Sequence, residues 1–135
     1  MERAAYLKEL VDAYQAWRTL AHLESTTRER LIPLLQRHGL DTTPDPERRR
    51  VGEQRGRDRA AAGFAATVKS MTESLQPFLT LYARLQAEGP AEDRRELEFL
   101  NAHEVALHEF ATRAVAGGGR DSLAPIRALL ARGKA

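Results

Sequence analysis

The fold of this chain is decided by residues 6–34, which read YLKELVDAYQAWRTLAHLESTTRERLIPL. Side chains suited to an interior recur there at alternating spacings of four and three, the period with which one face of an α-helix returns. The stripe consists of Tyr6, Leu10, Ala13, Trp17, Leu20, Glu24, Thr27, Leu31 and Leu34. It predicts one amphipathic helix over residues 3–38, with a kink near Ile32 or a break after Thr27 because Pro33 removes a backbone donor.

Start and stop signals outside this segment predict three more helices. Residues 45–47, Asp-Pro-Glu, read as an N-cap followed by a first helical turn, and the helix they begin extends to Gly89. A third helix runs from Pro90 to Ala116, and Asp121 or Ser122 caps a short fourth one. We therefore predict a single all-α domain over residues 1–135, an antiparallel up-and-down four-helix bundle with three long helices and one short C-terminal helix.

The length of the second helix poses a problem of size. A continuous helix of roughly 40 residues would span about 60 Å, whereas a domain of this length has a radius of gyration near 14 Å. Either the helices break at prolines and glycines, or their ends project and are buried against a second copy. We expect a homodimer.

Composition excludes several classes of protein. The net charge is only +2, and the basic stretch at residues 48–59 has no interleaved aromatic residues, so we expect no nucleic-acid partner. No stretch approaches the roughly 20 apolar residues of a membrane span. The absence of cysteine excludes disulfides and thiolate chemistry and agrees with a cytoplasmic location.

Polar residues inside the apolar stripes are the candidates for chemistry. Glu24 and Thr27 lie in the stripe of the first helix, His103 lies in that of the third, and Tyr82 lies on the second. A carboxylate and an imidazole facing one interior can act as acid and base. The alternative is a structural polar layer that fixes the register of the helices.

Two functional hypotheses follow, and the sequence leaves open whether the protein is an enzyme. In the first, an interior pocket binds or transforms a small molecule, with Glu24 and His103 as polar or acid/base residues. In the second, the aromatic residues are only core and the protein is a homodimeric interaction or adaptor module. The predicted aromatic lining consists of Trp17, Phe64, Phe78, Tyr82, Phe99 and Phe110.

A metal site is only weakly indicated. Glu104 and His108 are four residues apart and share a helix face, which suits a metal ion or a salt bridge equally well. Side chains at neighbouring positions of one helix cannot converge, so ligands from another helix would be needed. We expect no metal and no cofactor.

The long helices, together with residues 20–24 (LAHLE) and residues 102–110 (AHEVALHEF), resemble the ferritin-like helical superfamily. Di-iron members of that superfamily use one glutamate on each of two helices and Glu-x-x-His on two others. Glu24 stands where such a glutamate belongs, but Glu104 and His108 are spaced by four and the second helix has no Glu-x-x-His. The resemblance implies the shape of a ferritin-like bundle without its oxidase chemistry.

Overall fold

The computed structural model describes residues 2–132, apart from the side chains of Glu2 and Tyr6, so the first position of the predicted stripe lies outside the described side chains. This part of the chain is all-helical and contains no strand, which confirms the predicted class. The helices are α1 (Glu2–Arg37), α2 (Pro46–Ala62), α3 (Phe64–Ser74), α4 (Gln76–Glu88), α5 (Arg94–Val115) and α6 (Ala124–Arg132), with short 3₁₀ turns at Ala91–Asp93 and Gly119–Leu123. None of these helices is both long and apolar enough to cross a bilayer.

The first predicted helix is confirmed to within one residue at each end. Gly39 adopts φ 67°, and the N–H of Leu40 donates to the carbonyl of Leu35 at 2.9 Å, so the chain leaves α1 through a left-handed glycine. Pro33 lies inside α1 without interrupting it, so the predicted break after Thr27 is wrong. Contacts with the α5 region on both sides of the proline hold the helix together.

The second predicted helix is three helices. Its start is confirmed, since the Asp45 side chain accepts the N–H of Glu47 at 2.9 Å. It breaks at Gly63, where φ is 90°, and again at Leu75, where Pro77 follows in the first turn of α4. The predicted second helix, which would be too long for a domain of this size, is therefore divided at a glycine and again before a proline.

Helix α5 lies at the centre of the fold. Helices α1, α3, α4 and α6 all pack against it, and Phe110 and Ala111 on α5 are completely buried. Phe110 and Ala111 form one hydrophobic core with Leu23 of α1, Val68 of α3 and Ile126 of α6. Removal of these apolar surfaces from water is the main force that assembles the helices.

Helices α1 and α5 run in opposite directions. The Arg37 side chain reaches Asp93 just before α5, and Thr27, ten residues earlier in α1, reaches His103, which is ten residues later than Asp93. Residues with higher numbers in α1 therefore contact residues with lower numbers in α5, as in any antiparallel pair of helices. In the predicted up-and-down bundle the first and third long helices are parallel. The observed antiparallel pairing of α1 with α5 therefore differs from the predicted order.

Helix α4 also runs antiparallel to α5, so α1 and α4 point the same way. Gln76 of α4 pairs with His108, and Gln86 pairs with Asn101. Helix α2 makes this order possible, since it carries the chain back from the end of α1 to the start of α3. It has no buried residue and is polar all round, so it is a solvated connection and no part of the core.

Candidate functional site

His103 is the centre of a polar cluster between α1 and α5. Its side chain is only 5% exposed, and its Nδ1 lies 2.7 Å from Oγ1 of Thr27. Its Nε2 lies 3.3 Å from Oε1 of Glu24 and 3.6 Å from Oε1 of Glu104. The threonine fixes the plane of the ring, so the second nitrogen is directed at two carboxyl groups.

The antiparallel pairing of α1 and α5 explains why these residues meet. Glu24 and Thr27 are three residues apart on α1 and share the face that looks toward α5. The pairing that joins Arg37 to Asp93 places this face level with His103. The structure thus brings the predicted pair together in a helix order that the sequence did not predict.

Glu24 is not buried, contrary to its predicted inward orientation. Its side chain is 64% exposed, and only its carboxylate end approaches the histidine. A glutamate has enough length to leave its helix on the solvent side and bend back toward a buried partner. Glu24 therefore forms the outer rim of the cluster, where it can exchange protons with water.

Glu104 supplies the buried carboxyl group. Its side chain is 10% exposed, and its Oε2 is buried without any hydrogen-bond partner in the described structure. Burial raises the pKa of Glu104, the electrostatic interaction with His103 lowers it, and that with Glu24 raises it further, so that the pKa lies above its ordinary value. An unpaired buried carboxyl oxygen is rare in a folded protein and indicates a site with a function beyond packing.

The cluster opens into a groove of about 260 Å³ between α1, α4 and α5, called here the His103 groove. Tyr82 of α4 closes one side, and burial together with the negative charges of Glu104 and Glu24 raises the pKa of its phenol. The groove is lined by Glu24, Thr27, Arg28, Leu31, Leu35, Tyr82, Leu100, His103 and Glu104.

The predicted aromatic lining does not form one pocket. Trp17 packs edge-on against Phe64, with ring centres 5.5 Å apart, and Phe64 packs against Phe110 at 6.4 Å. Phe99 lies beneath the guanidinium of Arg30, 4.4 Å from its ring centre. These side chains bury apolar area at different levels of α5, so of the predicted aromatics Tyr82 alone faces the groove.

The structure does not assemble the weak metal candidates Glu104 and His108. His108 lies 3.0 Å from the amide nitrogen of Gln76, on the α4 side of α5. Within residues 2–132, the only group of three or more side chains with ligand atoms close enough to hold an ion is His38, Glu92 and Asp93. Arg37 and His38 both bind Asp93, so the central carboxylate of that group already belongs to an ion-pair network.

Glu104 is the site residue whose role sequence reasoning missed. The sequence analysis gave it only as a weak metal candidate, because Glu104 lies outside the stripe formed by Phe99, His103 and Phe110. Leu97, Glu104 and Ala111 recur at seven-residue intervals and are all buried. Their heptad spacing was the available signal that Glu104 faces the core.

Comparison with models of protein families, with curated proteins and with solved structures finds no match for this chain.

Proposed function

We propose that the protein binds a compact small molecule in the His103 groove and that His103 and Glu24 exchange a proton with it. The observation that carries this proposal is the buried carboxyl group of Glu104 in the groove lining, whose Oε2 has no hydrogen-bond partner in the described structure and whose Oε1 lies 3.6 Å from Nε2 of His103. The unpaired oxygen lacks a hydrogen-bond donor, and a ligand can provide one.

The chemistry of the lining favours a ligand that carries hydrogen-bond donors, with an ammonium group as the best fit. The carboxylate oxygens of Glu24 and Glu104 are acceptors that converge on Nε2 of His103, while Arg28 and Tyr82 stand on the walls. The volume is small beside ordinary ligand pockets of about 300–1,000 Å³, so the ligand is compact. Its ammonium group would pair with Glu104, and the imidazole would relay its proton to Glu24 and solvent.

A thermal-shift screen with compact primary amines tests this proposal, with the corresponding carboxylic acids as charge-reversed controls. Ligand at one hundred times its Kd stabilises a protein by about 2.7 kcal/mol, which raises Tm by several degrees. We expect this increase for the wild type and for Glu98→Gln, an exposed control on α5. We expect it to disappear in Glu104→Gln and His103→Ala while their helical content persists. Equal stabilisation by the acids, or an undiminished response of Glu104→Gln, would contradict the proposal.

A second candidate function is that of a homodimeric interaction module. The observation in its favour is an exposed apolar stripe on α1, where Leu7, Val11 and Tyr14 follow the helical repeat. Sedimentation of the wild type and of Val11→Glu over a range of concentrations tests it. A dimer that Val11→Glu dissociates supports this candidate, and a monomer at high concentration excludes it.

A further inference from the structure

A second and larger cavity lies at the other end of α1. It has a volume of about 860 Å³ and is bounded by the first half of α1, the junction of α2 with α3, and the turn after α5. We call it the Trp17 groove. It shares no lining residue with the His103 groove, and its apolar lining includes Leu10, Ala13, Tyr14, Trp17, Phe64 and Leu123.

The walls of the Trp17 groove expose apolar side chains to water. Leu10 is 49% exposed and Tyr14 is 66% exposed, while Trp17 and Phe64 are half-buried at its base. Contiguous apolar surface of this kind is uncommon on a monomeric protein unless something binds there. The volume is within the usual range for ligand pockets.

One face of α2 carries positive charge to the mouth of this groove. Arg48, Gly52, Arg55 and Arg59 occupy one helix face by their spacing of four, three and four, and Arg59 lines the groove itself. Within the described residues, Arg55 and Arg59 form no ion pair, and Arg48 is 3.9 Å from Asp45. This cationic face is therefore poorly neutralised.

The remaining arginines of α2 each have a side-chain partner on the same helix, and for two of them this partner is a carboxylate. Arg50 binds Glu47 at 2.6 Å, and Arg49 lies 3.4 Å from Glu53. Arg57 donates to the side-chain oxygen of Gln54 at 2.8 Å. Among the described residues Arg55, Arg57 and Arg59 thus form no ion pair, and two of the three, Arg55 and Arg59, lie on the face that continues into the groove.

Two carboxylates line the groove from α1. Asp12 binds Arg120 at 3.2 Å and is balanced by it. Glu9 is the other carboxylate, and Arg59 is the residue of the cationic face that lines the groove with it. The four charged side chains of the lining therefore balance by number, and the excess positive charge near the mouth comes from Arg55, one helical turn from Arg59 on α2.

We propose that the Trp17 groove binds a single-chain amphiphile with an anionic head, such as a long-chain carboxylate. The hydrocarbon chain lies against Trp17 and Phe64, where burial of each methylene group is favourable. The head accepts charge-assisted hydrogen bonds from Arg55 and Arg59. This proposal is independent of the ligand in the His103 groove.

Tryptophan fluorescence reports directly on this site, because Trp17 is the one tryptophan of the chain. We would titrate the intact protein with dodecanoate below its micelle concentration and follow the emission of Trp17. A saturable change in emission is expected. Dodecyltrimethylammonium, which has the same chain and the opposite charge, should bind about tenfold more weakly or worse.

Two double variants of α2 that each remove two positive charges test whether binding depends on the cationic face or only on the overall charge of the helix. Arg55→Gln with Arg59→Gln should weaken dodecanoate binding about tenfold, whereas Arg50→Gln with Arg57→Gln should leave it within about twofold. All four side chains are exposed, so these changes spare the core.

Four results would overturn the proposal. They are no change in Trp17 emission with dodecanoate, equal binding of the cationic amphiphile, and equal weakening by both double variants. The fourth is a response to anionic phospholipid vesicles alone or to protein concentration alone, which would identify a membrane surface or a second copy as the occupant.

Discussion

At the scale of single residues, the contact between Thr27 and His103 holds the polar cluster in place. The hydroxyl of Thr27 is the partner of a buried ring nitrogen, and both side chains are almost fully buried. Replacement by a residue of the same shape without the hydroxyl leaves that nitrogen unsatisfied, and an unsatisfied buried polar group is costly.

Thr27→Val should lower the free energy of unfolding by about 1–3 kcal/mol, measured by urea denaturation. It should also change the tautomer balance of His103, which nitrogen chemical shifts report. Thr26→Val, at the neighbouring half-buried position, is the control. A cost no greater than that of the control would show that the hydroxyl contact does not stabilise the fold.

The raised pKa of Glu104 predicts how the stability of the fold depends on pH. Because the pKa of Glu104 is raised above 4.5 in the folded state, its contribution to stability is complete below that pH and is lost as pH rises through the folded pKa. Glu104→Gln should therefore gain stability relative to the wild type between pH 4 and pH 8, measured by denaturation at each pH. Glu98→Gln should show no such trend. A difference that does not grow with pH would refute the assignment of Glu104 as the desolvated acid.

At the scale of helices, positive φ at Gly63 explains the first of the two breaks in the long second segment. Gly63 has φ 90°, and a Cβ built there meets no atom within 4 Å. A substitution is therefore opposed by backbone conformation alone.

Gly63→Ala should destabilise the protein by about 1–2 kcal/mol in thermal and urea unfolding. Gly56→Ala is the matched control, since a Cβ at that position of α2 also meets open space while the backbone is helical. It should leave global stability unchanged or slightly raised. Equal effects of the two substitutions would mean that φ at Gly63 is not the cause of the break.

The sequence predicted several helix ends correctly, but it did not predict how the helices pair in space. Caps and glycines are local signals, so Asp45 and Gly39 predicted real ends. Helix order depends on contacts distant in sequence, and Thr27 with His103 is such a contact. The exposure of Glu24 could not be predicted for a related reason. A long side chain can lie mostly in solvent and still place its carboxylate against a buried partner.

At the scale of the whole molecule, one ion-pair network ties the end of α1 to the start of α5. Arg37 binds Asp93 at 2.9 Å and Glu96 at 2.7 Å, and His38 binds Asp93 at 2.6 Å. Burial acts to raise the pKa of Asp93, but the hydrogen bonds from Arg37 and His38 outweigh it and hold the pKa below its ordinary value.

Asp93→Asn should lower Tm at pH 7. A depressed pKa contributes stability above the unfolded value of 3.8, and this contribution is lost as pH falls through the folded pKa. The difference in Tm between variant and wild type should therefore shrink below about pH 4. Glu92→Gln, at the exposed neighbouring position, is the control. A deficit that stays constant down to pH 2 would contradict the ionic role of Asp93.

The connection through α2 also governs how the molecule responds to being cut. An arginine-rich helix that buries nothing opens readily, so trypsin should nick it before any other helix. The severed N-terminal piece would remain docked, because α1 is retained by α5 and α6 through noncovalent packing. The two halves, expressed as separate polypeptides, should then reassemble into one folded particle.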